Sequence, residues 1–220
     1  MTRTSTLQDL GVERALSRMF ARAEHGDVTS DALVADRPTG YVPTTSQERA
    51  DEGAAICMPI SAECGRLLHT LVRASRPTTV VEFGTSFGIS TLHLAAAVRD
   101  NGRGHVFTTE LSRTKTTAAR RTFTETGLDD VVTVLEGDAL DTLTTLDGPV
   151  DLVLLDGWKD LCLPVLHLLE PHLSPGALVV ADDTTFTSMA PYLAYVRTPS
   201  NGYQSVDFPV EDGMEISCRV

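Results

Sequence analysis

The sequence predicts an α/β fold, a doubly wound and mostly parallel sheet with helices on both faces. Three observations predict it. From residue 78 onward, short β-branched or apolar segments alternate with segments of helical period. Leu152–Leu155 is apolar at every position, as in a strand covered on both sides. Glycines and acidic residues recur directly after the strand candidates, the sheet edge where ligands bind in such folds.

The elements follow in order. Leu7, Leu10, Ala15, Leu16, Met19, Phe20 and Ala23 recur at helical spacing, and Gly26 predicts the helix stop. Residues 31–55 are less regular, with Pro38, Gly40 and Pro43 breaking any long element. Ser61 is a natural N-cap for a helix to Ala74. Strands are predicted at 78–83, 106–109, 131–135, 152–155, 177–181, 203–208 and 215–219. Helices are predicted between them at 90–98, 114–126, 141–146, 161–173 and 190–196, with Gly127 ending the second of these.

Composition narrows the function. The 220 residues suit one α/β domain with a small N-terminal addition, and 42% hydrophobic residues are enough for a core. A formal net charge of -12 opposes binding to nucleic acid or to an anionic membrane. Cys57, Cys64, Cys162 and Cys218 form no CxxC pair and no zinc-type spacing with histidine, which predicts reduced thiols in a cytoplasmic protein. The polar first residues lack the apolar run of a secretory signal, and no segment approaches the length of a membrane helix.

The first strand runs into Glu82-Phe83-Gly84-Thr85-Ser86-Phe87-Gly88-Ile89-Ser90. Gly84 permits a tight turn, and the helix start that follows favours an anionic group. The spacing is neither GxGxxG nor a P-loop. Glu110, ending the second strand, can accept both hydroxyls of a ribose, or be a solvated strand-end charge. Asp138, in Gly137-Asp138-Ala139 after the third strand, can face an adenine or cap the next turn. These features together resemble class I methyltransferases that bind S-adenosylmethionine, a Rossmann-like fold with seven strands and an antiparallel last strand. The resemblance implies that Glu82 and Ser90 contact the amino-acid part of that cofactor, Glu110 the ribose, and Asp138 and Ala139 the adenine. It adds Met58, Ile60, Gly84, Ser86, Leu111, Asp156 and Trp158 to the cofactor's surroundings.

Asp156 ends the fourth strand, and Asp182 and Asp183 end the fifth. If those strands are neighbours, the three carboxylates converge and suit a hard cation such as Mg²⁺. Three separate turn aspartates are the plainer alternative. The run Leu155-Asp156-Gly157-Trp158-Lys159-Asp160, followed by Leu163-Pro164, Ala181-Asp182-Asp183 and Leu193-Ala194-Tyr195-Val196-Arg197, resembles catechol O-methyltransferase. Caffeoyl-CoA O-methyltransferase is a more distant match, and the likeness runs from about Glu13 to Met214.

That likeness implies metal-dependent methyl transfer to a hydroxyl of a catechol-like small molecule, with a role in secondary metabolism. It implies that Asp156, Asp182 and Asp183 hold the metal and that Lys159 is the general base, with a depressed pKa. Trp158 becomes an aromatic wall or a core side chain. Three departures lie on the acceptor side. The fifth-strand pair is Asp-Asp rather than Asp-Asn, and Ile56 replaces an expected tryptophan. The late acceptor-contacting glutamate is left to Glu211, Asp207 or Asp212. A metal-independent N- or C-methyltransferase and a non-catalytic binding protein are the alternatives. Residues 1–55 are read as a lid or extension on a catalytic core of 56–220, or as a homodimer contact.

Overall fold

The computed structural model describes residues 5–35 and 45–220. Its strands are β1 (Thr79–Phe83), β2 (His105–Glu110), β3 (Val132–Glu136), β4 (Val150–Leu155), β5 (Leu173–Asp182), β6 (Tyr203–Phe208) and β7 (Met214–Arg219). They form one sheet in the order β3-β2-β1-β4-β5-β7-β6. Pairings from β3 through β5 are parallel, and β7 runs antiparallel to both β5 and β6. The seven-stranded sheet with an antiparallel last strand is therefore present.

The helices are α1 (Leu10–Ala35), α2 (Ser46–Glu52), α3 (Ala62–Ser75), α4 (Ile89–Asn101), α5 (Arg113–Thr126), α6 (Ala139–Thr142), α7 (Cys162–Leu169) and α8 (Ala190–Val196). Strand side chains alternate between two cores. Val80, Leu152, Leu154 and Val180 join α1, α3, α4 and α5 on one face. Val81, Val153, Leu155 and Val179 join α7 and α8 on the other. Each such side chain, fully removed from water, contributes about 1.5–3 kcal/mol. Because both faces are covered, no strand between β2 and β5 could alternate polar and apolar residues.

Several boundaries differ from the sequence reading. Instead of stopping near Gly26, α1 continues to Ala35; a helix-interior glycine costs only about 1 kcal/mol. Within the irregular region, α2 forms on a capping box between Thr45 and Glu48, while Pro38, Gly40 and Pro43 lie outside the described residues. Ser61 caps α3 as expected, its side chain accepting from the Cys64 N–H. The helix expected over 161–173 is shorter. Pro171 has no N–H to donate, and the chain tightens there into a 3-10 turn before β5 begins at Leu173. Cys57, Cys64 and Cys162 are buried and all four cysteines are free. Among the described residues no helix is long and apolar enough to cross a membrane.

Close packing between α3 and α4 supports the first strand. A Cβ on Gly65 would lie 2.5 Å from the buried His93 ring, whose Nδ1 is 2.9 Å from the Ile89 carbonyl. Burial pushes the His93 pKa down, so the ring is a neutral core group. Gly65→Ala should overpack this contact and cost about 1–3 kcal/mol. Thermal unfolding checks it; an unchanged Tm would show that the two helices can separate without loss.

Candidate active site

The parallel crossovers diverge at β1, with β2 on one side of it and β4 on the other. This is the switch point where a crevice opens at the carboxyl edge of a doubly wound sheet. A cavity of about 1050 Å³ lies there, walled by the turns after β1, β2, β3, β4 and β5 and by α2.

The turn after β1 is tight because it must be. Gly84 has φ 105°, and a Cβ there would stand 2.6 Å from the Asp156 carbonyl oxygen. Only glycine fits that conformation against that backbone. The turn is tied to β2 by Gly84 and Thr85 N–H groups donating to the Thr109 carbonyl. Ser86, at φ 48°, donates its N–H to Glu110 Oε2 at 2.9 Å, and Ser112 N–H reaches Glu110 Oε1 at 2.8 Å. Two backbone donors thus hold the Glu110 carboxylate, which lines the cavity.

Gly84, Ser86, Ser90, Leu111, Asp138, Ala139, Met58, Ile60, Asp156 and Trp158 all line the cavity with Glu110. Asp138 also caps α6, accepting from the Leu140 N–H at 2.9 Å, so the capping reading holds while the residue also lines the cavity. Glu82 is the exception. It is fully buried behind the wall, where Thr91 and Thr108 hydroxyls donate to its Oε2. Its Oε1 has no partner, and burial raises its pKa against the hydrogen bonds. Glu82 is placed to brace the turn, with one oxygen left over.

The parallel register of β4 and β5 brings the acidic residues together, pairing Leu155 with Ala181. One oxygen each from Asp156, Asp182 and Asp183 lie within 4.8 Å of one another. Asp183 adopts φ 56°, a strained conformation for a non-glycine residue. Burial, reinforced by the charges of Asp156 and Asp183, raises the Asp182 pKa to about 7. Burial raises Asp156 to about 6 despite the neighbouring Lys159. Hard oxygen donors crowded in this way fit a divalent cation, which offsets both burial and mutual repulsion.

Lys159 lies in the same cluster, its Nζ 3.1 Å from Asp156 Oδ1 and 2.9 Å from Asp183 Oδ2. Burial lowers its pKa, but the two carboxylates outweigh burial and raise it above the ordinary lysine value. With no cation in the cluster Lys159 pairs with the very carboxylates assigned to the metal, and its pKa lies above the ordinary value rather than below it.

On the remaining wall, Glu211 and Asp212 line the cavity, whereas Asp207 points to Arg197 at 3.4 Å and is removed as a candidate. Ile56 does not line the cavity, so the lost tryptophan is not replaced by it. Among the lining residues that the sequence reading did not single out are Arg49 on α2, Lys115 on α5 and Phe186. Lys115 is 6% exposed, and burial lowers its pKa. Neither Arg49 nor Lys115 lies in a motif, and only their positions in space mark them.

Comparison with known proteins agrees with this geometry. Residues 81–184 match the family model described as a methyltransferase domain. The chain is 31% identical over 147 residues to catechol O-methyltransferase of Sus scrofa, covering 64% of this chain and 78% of that one. The chain belongs to the class I O-methyltransferase family of catechol O-methyltransferase. It is also 32% identical over 174 residues to catechol O-methyltransferase B of Danio rerio, covering 73% of this chain and 65%, just under two thirds, of that one. The cofactor-bound structure of Rv0187 from MTB matches with 26% identity and a TM-score of 0.69, over 86% of this chain and 95% of that one.

The carboxylate cluster yields a pH-dependent prediction. A carboxyl group whose pKa rises on folding favours the folded state while protonated, and that contribution is lost as pH rises through the folded pKa. For Asp182 the loss runs from its ordinary value of 3.8 to about 7. In chelator, Asp182→Asn should therefore melt above the unsubstituted chain near pH 8, with the gap closing near pH 4. Melting curves at the two pH values check this, and equal Tm near pH 8 would contradict it.

Proposed function

We propose that the chain transfers a methyl group from S-adenosylmethionine to a hydroxyl of a catechol-like small molecule, with a divalent cation at Asp156, Asp182 and Asp183. The observation that carries this reading is the convergence of those three carboxylates with Lys159 on the wall of the cavity that also holds Gly84 and Glu110. The pig and zebrafish relatives bear the name of catechol methylation. In this reading the whole chain is one methyltransferase domain, with α1 and α2 belonging to an N-terminal lid or extension.

The residues divide the work. Glu110, fixed by two backbone N–H groups, would accept the ribose hydroxyls. The Gly84 turn would let the backbone come close to the amino-acid part, and Asp138 and Ala139, which line the cavity, would meet the adenine. S-adenosylmethionine, when bound, supplies an electrophilic methyl group. Mg²⁺ is the best match to an all-carboxylate site, and it supplies Lewis acidity that lowers the pKa of an acceptor hydroxyl.

Lys159 takes the hydroxyl proton at Nζ, for which it must first be neutral. Asp156 and Asp183 would hold its pKa up less if they held a cation, and burial of Lys159 pushes it down. Asp183 in place of an asparagine adds a negative charge to the proposed cation site. Glu211 or Asp212 would meet the acceptor's second hydroxyl. Trp158 and Phe186 on the cavity wall exclude water and hold the two reactants aligned, the main requirement of an in-line transfer.

Mass spectrometry of the chain with S-adenosylmethionine and a panel of catechols tests the reading. A methylated product that requires Mg²⁺ is expected, and equal product in chelator would overturn the cation site. Lys159→Ala should lower turnover by about 10²-fold or more while S-adenosylhomocysteine still binds. Undiminished turnover would remove Lys159 as the base.

A further inference from the structure

The short helix α2 stands over the ligand cavity, with Ser46, Arg49 and Ala50 on its wall. Seven residues are too few for a helix to be stable alone, and its one buried residue is Ala50. Arg49 reaches from it to the turn after β4. Its two terminal nitrogens donate to Asp160 Oδ1 at 3.0 Å and Oδ2 at 3.2 Å. The guanidinium carbon also lies 4.9 Å from the centre of the Trp158 ring. One planar side chain therefore makes a forked carboxylate pair and a contact with an aromatic ring, both of which suit arginine and not lysine.

Trp158 and Asp160 are the two sequence neighbours of Lys159. A single guanidinium thus holds both flanks of the residue that stands among the three carboxylates. We propose that Arg49 is a positioning residue that clasps α2 over the cavity, fixes the Trp158 ring as its wall, and must let go for ligand to pass. The Arg49 and Asp160 side chains are 27% and 53% exposed, so water and salt reach the clasp and it opens reversibly. The inference rests on the methyl-transfer reading only for the choice of ligand probe.

The chain has one tryptophan, so its tryptophan fluorescence comes from Trp158, which touches Arg49 and lines the cavity. The experiment compares the full chain with Arg49→Ala and Arg49→Lys in two ways. Acrylamide quenching without ligand reads exposure of the Trp158 ring, and stopped-flow fluorescence reads release of S-adenosylhomocysteine. The clasp predicts that Arg49→Ala is quenched more readily and releases the probe about tenfold faster, with Arg49→Lys between, since lysine keeps the charge and loses the fork. The cofactor KM should rise by a larger factor than kcat falls. Added salt should speed release from the unsubstituted chain more than from Arg49→Ala.

Quenching and release unchanged in Arg49→Ala would overturn the proposal, as would Arg49→Lys behaving like Arg49→Ala at every salt concentration. If melting shows Arg49→Ala to be unfolded, Arg49→Lys decides by the same two readings. Absence of S-adenosylhomocysteine binding to the unsubstituted chain would contradict methyl transfer, and the ligand-free quenching comparison would still decide the clasp.

Discussion

Everything at the functional edge of this molecule depends on three carboxylates being held together out of bulk water. Carboxylates so placed resist ionisation, and Asp156 and Asp182 show it in their raised pKa values. The fold tolerates this because β4 and β5 are parallel neighbours buried on both faces, so their ends cannot spread apart. Part of the charge is met by Lys159, which bridges Asp156 and Asp183. In the proposed reading a hard divalent cation would meet the rest. The same crowding that burdens folding would then favour the ion, with Lys159 beside it.

The scaffold reaches this arrangement by conventional means. Apolar strands alternate their side chains between two cores, and the turns at one edge are left to carry chemistry. The Gly84 turn shows how tightly those turns are coupled. Its backbone lies against the Asp156 carbonyl, so the cofactor side and the carboxylate side share one contact. Glu110 is aimed by N–H groups from two different turns, and Glu82 braces the first turn from behind. Family membership places this economy in a wider set of O-methyltransferases without dictating which acceptor this chain takes.

Much of the site was legible in the sequence because each motif is local. The glycine turn, Gly137-Asp138-Ala139, Asp156 to Asp160 and the Asp182-Asp183 pair are contiguous runs placed just after apolar strands. Strand order was legible only in part, since periodicity marks strands and not their neighbours. What escaped was set by contacts between distant residues. The raised Lys159 pKa follows from Asp156 together with Asp183, the second of which lies in the next strand's turn, and Arg49 meets Asp160 across 111 positions. Gly26 misled because a glycine lowers helix stability by too little to end a helix. Asp207 and Glu211 looked alike in sequence, but Asp207 lies in β6 and meets Arg197, whereas Glu211 lies in the turn between β6 and β7 and lines the cavity.

The central claim is that Asp156, Asp182 and Asp183 form one cation site shared with Lys159. Crystals grown with Mn²⁺ and S-adenosylhomocysteine, measured for anomalous scattering, test it most directly. The account predicts one anomalous peak bounded by oxygens of all three carboxylates, with Lys159 Nζ drawn away from at least one of its present partners. A peak elsewhere, or no peak with both Lys159 ion pairs intact at saturating Mn²⁺, would contradict it.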